Sequence, residues 1–228
     1  MKTIKLSVVA FLCILSFTVS AQKTKTSKEI QKYFSSYEFK TMSPENTPVL
    51  LPYNRWITPA GKQITFGSPD QENHALDVAL SPDEKWVAVE GRYEVLIISA
   101  ESGKIAANLP MKQMITGQNI MNTFSGICWL QSGSDYRVFW GAVGNKKSSY
   151  VLSARWDGKT LISGESYLFD AVAPAEMALP NEVLALNENG KEVLYAVLNG
   201  NNTVAKINLT TKEKIWTTNV GVAPFGIT

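Results

Sequence analysis

A unit of four short β segments recurs along this chain at a spacing of roughly 50 residues, and few folds can absorb such a repeat. Val87, Val138 and Val193 mark corresponding points. The first copy runs through residues 76–80, 86–90, 95–99 and 104–109. Ser81-Pro82-Asp83-Glu84 turns its first pair, with proline at the favoured second position of a type I turn. Leu76, Val78 and Leu80, then Trp86 and Ala88, alternate as half-buried strands do. The second copy comprises 127–130, 136–143, 150–156 and 165–168, and the third 182–186, 193–198, 203–208 and 214–218. Turn residues fall at matched places, as in Glu101-Ser102-Gly103-Lys104, Asp157-Gly158-Lys159 and Thr211-Lys212-Glu213, each before a copy's fourth segment, and Glu188-Asn189-Gly190-Lys191 turns the third copy's first pair. The expected fold is all-β: a β-propeller of four-stranded antiparallel blades. A two-sheet sandwich of about 12 strands is the alternative, and the fixed period disfavours it.

Two further stretches bear on completeness. Arg55-Trp56-Ile57 and Gln63-Ile64-Thr65-Phe66 flank Pro59-Ala60-Gly61-Lys62, a hairpin pattern. Phe225-Gly226-Ile227-Thr228 reads as the opening of a new inner strand. The sum is an outer hairpin, three blades and the start of another. Propellers close with about four to eight blades, so the expected partner is a set of C-terminal blades that complete the ring. The connections 111–123 and 170–180 join a blade's last strand to the next blade's first, where function often resides.

The first 21 residues have the build of an export signal. Lys2 and Lys5 are followed by an apolar run over 6–19, and Val19-Ser20-Ala21 supplies small residues for cleavage before Gln22. An uncleaved membrane anchor is the alternative, but about 20 apolar residues are needed to span a bilayer. Periplasmic or extracellular location follows, with no integral membrane segment after cleavage. Residues 22–50 form a polar lead-in. Ile30, Tyr33, Phe34 and Tyr37 lie at helical spacing there, with Ser27 as N-cap. Cleavage would remove Cys13 and leave Cys128 without a disulfide partner. It would also bring Lys+Arg from 22 to 20, equal to the 20 acids, so no basic field argues for nucleic acid.

Three stretches resemble the YVTN (YncE-like) β-propeller family. Leu80-Ser81-Pro82-Asp83-Glu84-Lys85-Trp86-Val87-Ala88-Val89 is similar to its recurring hairpin, with Glu84 in place of the usual glycine. Leu194-Tyr195-Ala196-Val197-Leu198-Asn199 with Asn202-Thr203-Val204-Ala205-Lys206-Ile207-Asn208 resembles the core of its repeat. Val220-Gly221-Val222-Ala223-Pro224-Phe225-Gly226-Ile227 resembles its entry into a following blade; the middle copy matches poorly. Leu51-Pro52-Tyr53-Asn54-Arg55-Trp56-Ile57-Thr58-Pro59-Ala60-Gly61-Lys62-Gln63 is similar to the opening of exported proteins that join such a propeller to an alkaline-phosphatase-like phosphoesterase domain. That resemblance implies a binding or scaffold module with chemistry in a further C-terminal domain. A stand-alone periplasmic binding propeller is the alternative.

No catalytic constellation is visible in residues 1–228, and no cofactor is expected in them. His74 is the only histidine; it precedes an inner strand and is a candidate for ligand binding at the channel rim. Glu90-Gly91-Arg92-Tyr93 occupies the loop between the second and third strands of the first copy. Glu90 and Arg92 are therefore candidates for a ligand funnel, with an exposed salt-bridged turn as the plainer reading. One histidine and one mature cysteine do not support a zinc site, and Asp70, Glu72 and Asp77 match no metal-binding loop. Gly141-Ala142-Val143-Gly144 lacks the Lys-Ser/Thr of a phosphate loop. Trp56, Trp86, Trp129, Trp140, Trp156 and Trp216 fall at strand positions and are expected between blades, with an aromatic platform for sugars as the sharper alternative.

Overall fold

The computed structural model describes residues 49–228 apart from 52, 54, 58–60, 69, 70, 72 and 146. The signal segment, the helix expected near 27–37, and Asp70 and Glu72 lie outside the described residues. The chain divides into two units, residues 1–65 and 66–228.

In the first unit, β1 (Val49–Leu51) pairs antiparallel with β2 (Arg55–Ile57). A hairpin is present, but its second strand is upstream of Arg55. Residues 63–66 form no strand. Tyr53, in the left-handed region at φ 65°, lets a three-residue connection close the β1–β2 pair.

The second unit holds three four-stranded antiparallel sheets, each a simple meander. The first contains β3 (Ala75–Leu80), β4 (Trp86–Gly91), β5 (Glu94–Ser99) and β6 (Ile105–Pro110). The second contains β7 (Ile120–Ser132), β8 (Asp135–Gly144), β9 (Ser149–Trp156) and β10 (Leu161–Phe169). The third contains β11 (Pro180–Glu188), β12 (Lys191–Leu198), β13 (Thr203–Asn208) and β14 (Lys214–Asn219). These are three blades of a β-propeller, fewer than close a ring.

The middle blade is buried on both faces, which explains its poor match to a repeat pattern. Trp140, Leu152, Ala154 and Trp156 enter one core with Val95 and Ile97 of the first blade. Phe139 and Val151, one residue out of phase, enter another with Leu194, Ala196 and Ala205 of the third. Side chains alternate faces along a strand, so a sheet covered on both sides reads as a continuous apolar run. Trp86 meets Trp156 edge-on at 5.0 Å. The Trp129 indole N–H donates to the Ala79 carbonyl at 3.0 Å, joining the first two inner strands. Interblade packing thus accounts for four tryptophans. Trp216 instead lies on exposed β14, 5.8 Å from Tyr195.

Strand β7 begins inside the stretch expected to be a long connection. Met111 and Ile120 are both buried in the first core, so the chain between them is drawn close. Met111–Gln113 forms one 3-10 turn. The β7–β8 register then shifts between Asn122 and Ile127. Gly126 occupies that irregularity at φ 98°, and its amide donates to Asp77 Oδ2 at 2.8 Å. A Cβ there would lie 2.5 Å from Glu182 Cα. Only glycine satisfies both the backbone angle and the close approach.

The turn at Ser81 follows its sequence signature. Ser81 Oγ donates to Asp83 Oδ1 at 2.7 Å and accepts the Trp86 amide at 3.0 Å. Glu84 takes the left-handed conformation at φ 59°, the position where the related pattern carries glycine. After β14, the chain is tied back by Asn202, which accepts the Val220 and Ala223 amides, and by Asn199, which donates to the Pro224 carbonyl. Residues 225–228 run without strand pairing.

Candidate functional site

The connections into inner strands and the loops between second and third strands share one end of the sheets. Backbone bonds tie them there. Arg92 N donates to His74 O at 3.1 Å, Met111 N to Tyr93 O at 2.8 Å, and Asn145 N to Asn119 O at 3.0 Å. Asn122, at the start of β7, fastens two of these segments. Its amide donates to the carbonyls of Gly91 and Glu94 at 2.5 and 3.2 Å, and its oxygen accepts the Trp140 indole N–H at 2.9 Å.

Between the clamped segments lies a cleft of about 580 Å³, within the size range of small-molecule sites. Glu94 stands in it, only 6% exposed. Asn73 Nδ2 donates to Glu94 Oε1 at 2.6 Å, and Asn108 Nδ2 donates to Oε2. Asn73 is itself oriented, because its Oδ1 accepts the Tyr93 amide. A carboxylate gripped by two amides from separate segments is a preorganised group. Ser68, Gln71, Lys112 and Asn119 add to the polar lining, and Tyr93, Met111 and Ile120 supply apolar wall.

The three candidates from the sequence separate. His74 is exposed, and its carbonyl accepts the Arg92 amide, so the two backbones meet at one end of the first sheet, outside the cleft lining of Tyr93, Glu94 and their neighbours. The Arg92 guanidinium lies 5.3 Å from the Tyr93 ring centre, a cation–π distance. Glu90 does not join them. It is 0% exposed, and neither carboxyl oxygen has a hydrogen-bond partner. A paired Glu90–Arg92 funnel therefore does not describe this strand end. Arg92 is two residues further on, past the end of β4, where strand alternation no longer sets its direction.

Glu90 belongs instead to an acidic seam between inner strands. Its cross-strand partner is Asp77. Burial, and then the charges of Asp77 and Glu182, push the Glu90 carboxyl well above the usual carboxylate range. Burial likewise raises Glu182, with Asp77 adding to the effect against a bond from the Val183 amide. The unpartnered hydroxyl of Thr123 and amide nitrogen of Asn181 lie on neighbouring β7 and β11. Among the described residues, no three acidic, histidine or cysteine side chains are placed to hold a metal ion.

Asn73, Glu94 and Asn108 were not singled out from sequence. They are 21 and 14 residues apart along the chain, and only the blade's pairing brings them together. The one local sign is an acid at the head of an otherwise apolar strand, Glu94-Val95-Leu96-Ile97-Ile98.

No protein-family model matches the chain, and no curated protein does. Solved structures do. The WD40 domain of SCAP from fission yeast is 8% identical with a TM-score of 0.40, over 63% of this chain and 33% of that one. A protein of unknown function from Bacteroides caccae is 14% identical with a TM-score of 0.47, over 68% and 48%. The periplasmic gluconolactonase PpgL of Pseudomonas aeruginosa is 11% identical with a TM-score of 0.46, over 65% and 40%. The chain thus spans between a third and a half of each of these three structures. The propeller assignment rests on the three meander sheets themselves.

Proposed function

We propose that residues 66–228 are the binding module of an exported protein, and that the Glu94 cleft is its recognition site. The observation that carries this reading is the Glu94 carboxylate, nearly buried yet facing a cleft and gripped by Asn73 and Asn108. A carboxylate costs free energy to desolvate, and a fold that needed only packing would place an apolar residue there. The cleft also sits where connections gather, the part of such a scaffold that varies with function.

The positive, apolar and small-residue order of residues 1–21 supports export to the periplasm or beyond. The resemblance over 51–63, with the YVTN-like stretches after it, supports a larger parent in which a phosphoesterase domain supplies the chemistry. A stand-alone periplasmic binding propeller is the second reading, favoured by a cleft whose described lining comes from the first blade, the segment before it and the start of the second.

The test is a fragment screen on the purified chain, read by ligand-observed NMR and repeated on Asn108→Ala. Hits that vanish in the variant support the cleft as the site. Hits that persist unchanged would move the site elsewhere. Residues 22–228 should hydrolyse p-nitrophenyl phosphate at background rate; metal-dependent turnover by them would overturn the assignment of chemistry to another domain.

A further inference from the structure

The lining of the Glu94 cleft narrows its ligand. Among the described residues, the charged groups that line it are one acid, Glu94, and one exposed base, Lys112. These two balance formally, so neither sign of charge dominates the described lining. Most of the polar lining is uncharged: the side-chain amides of Gln71, Asn73, Asn108 and Asn119, and the Ser68 hydroxyl. An amide carries both donors and an acceptor. A row of them suits a ligand whose groups also do both, and the hydroxyl is that group.

Glu94 adds direction. A carboxylate offers about four lone-pair sites, and Asn73 and Asn108 each take one, on different oxygens. The remaining sites lie on a fixed plane and can accept two neighbouring hydroxyls together. Tyr93, Met111 and Ile120 give the cleft apolar surface beside this polar edge. A ring with C–H faces and a hydroxylated rim presents the complement of that lining.

From this we infer that the cleft binds a polyhydroxylated ligand of the saccharide class, with Glu94 and Asn108 on adjacent hydroxyls and Tyr93 against the ring. The inference rests on the binding reading above and goes further by naming the ligand's chemistry. Arg92, held 5.3 Å from the same tyrosine ring, stiffens that wall.

The test is calorimetric titration of the purified chain with glucose, galactose, maltose and cellobiose, alongside inorganic phosphate and spermidine as charged probes. Asn108→Ala and Tyr93→Ala are titrated in parallel, after circular dichroism and melting confirm that each is folded. At least one saccharide should bind, and each variant should weaken it tenfold or more. Saccharide binding that is indifferent to both variants, or no saccharide binding, overturns the inference. If phosphate or spermidine binds in a variant-sensitive way and no saccharide does, the saccharide inference fails while the binding reading stands. If no probe and no fragment gives a variant-sensitive response, both fail.

Discussion

Asp77 and Glu90 face each other across the β3–β4 ladder, and only one of them is satisfied. Asp77 accepts the Val78 amide on one oxygen and the Gly126 amide on the other, both at 2.8 Å. Glu90, fully buried, accepts nothing. Burial first, and then the like charges of Asp77 and Glu182, raise Glu90, so the fold favours its neutral form.

Stability should therefore fall as pH rises. The folded-state value of Glu90 lies above its usual 4.5, so the folded chain holds a proton that the unfolded chain releases. The contribution is fully present below about pH 4.5 and is lost as pH climbs through the raised value. Glu90→Gln cannot ionise and should flatten this dependence. At pH 8 it should be more stable than the parent, and near pH 4.5 about equal. Urea melts across that range decide it; an identical pH slope in both proteins would contradict the account.

Gly126→Ala should be among the most damaging single-atom additions in the chain. It forces a side chain into the left-handed region and a Cβ against the Glu182 backbone. The expected cost is about 2–4 kcal/mol, measured by denaturant unfolding. A loss under about 0.5 kcal/mol would mean that the β7 irregularity is not packed as described.

Glu84→Gly should act in the opposite direction. Glu84 adopts φ 59° in an exposed turn whose other bonds come from Ser81 and Asp83. Relief of that strain, less the entropy glycine adds to the unfolded chain, should leave a gain of about 0.5–1 kcal/mol. A shift in melting temperature reads it.

Cys128 should be inert while the chain is folded. It packs against the second core, and burial pushes its thiol up to about 12. At pH 8 its thiolate population is then on the order of one in ten thousand. Iodoacetamide should label it slowly in buffer and quickly in guanidinium. Equal rates would contradict the packing.

The repeat, the strand count and most strand ends were legible because alternation and turn chemistry are local signals. Thr203–Asn208 is recovered to the residue, and the Ser81 turn bonds as its residue types require. What escaped was non-local. Residues 120–123 read as loop, since Asn122 looks like a turn residue until its three partners, Gly91, Glu94 and Trp140, are brought to it. The sequence pattern puts the partner of Arg55–Ile57 downstream because Pro-Ala-Gly-Lys is the stronger turn signal, whereas the structure turns at Tyr53. Among site residues, His74 and Arg92 could be placed at one end of the first sheet from connectivity alone. Glu90 could not be placed, because its direction depends on where β4 ends, and Asn73, Glu94 and Asn108 meet only through folding.

The most direct test of the central claim, that recognition occurs in the Glu94 cleft, is a backbone amide shift map of the isotopically labelled chain titrated with its best-binding ligand. The account predicts perturbations confined to residues 67–74, 91–94, 108–112 and 118–120, with the face carrying the Ser81, Asp157 and Asn189 turns unmoved. Perturbations centred on that opposite face, or on exposed β14, would contradict it.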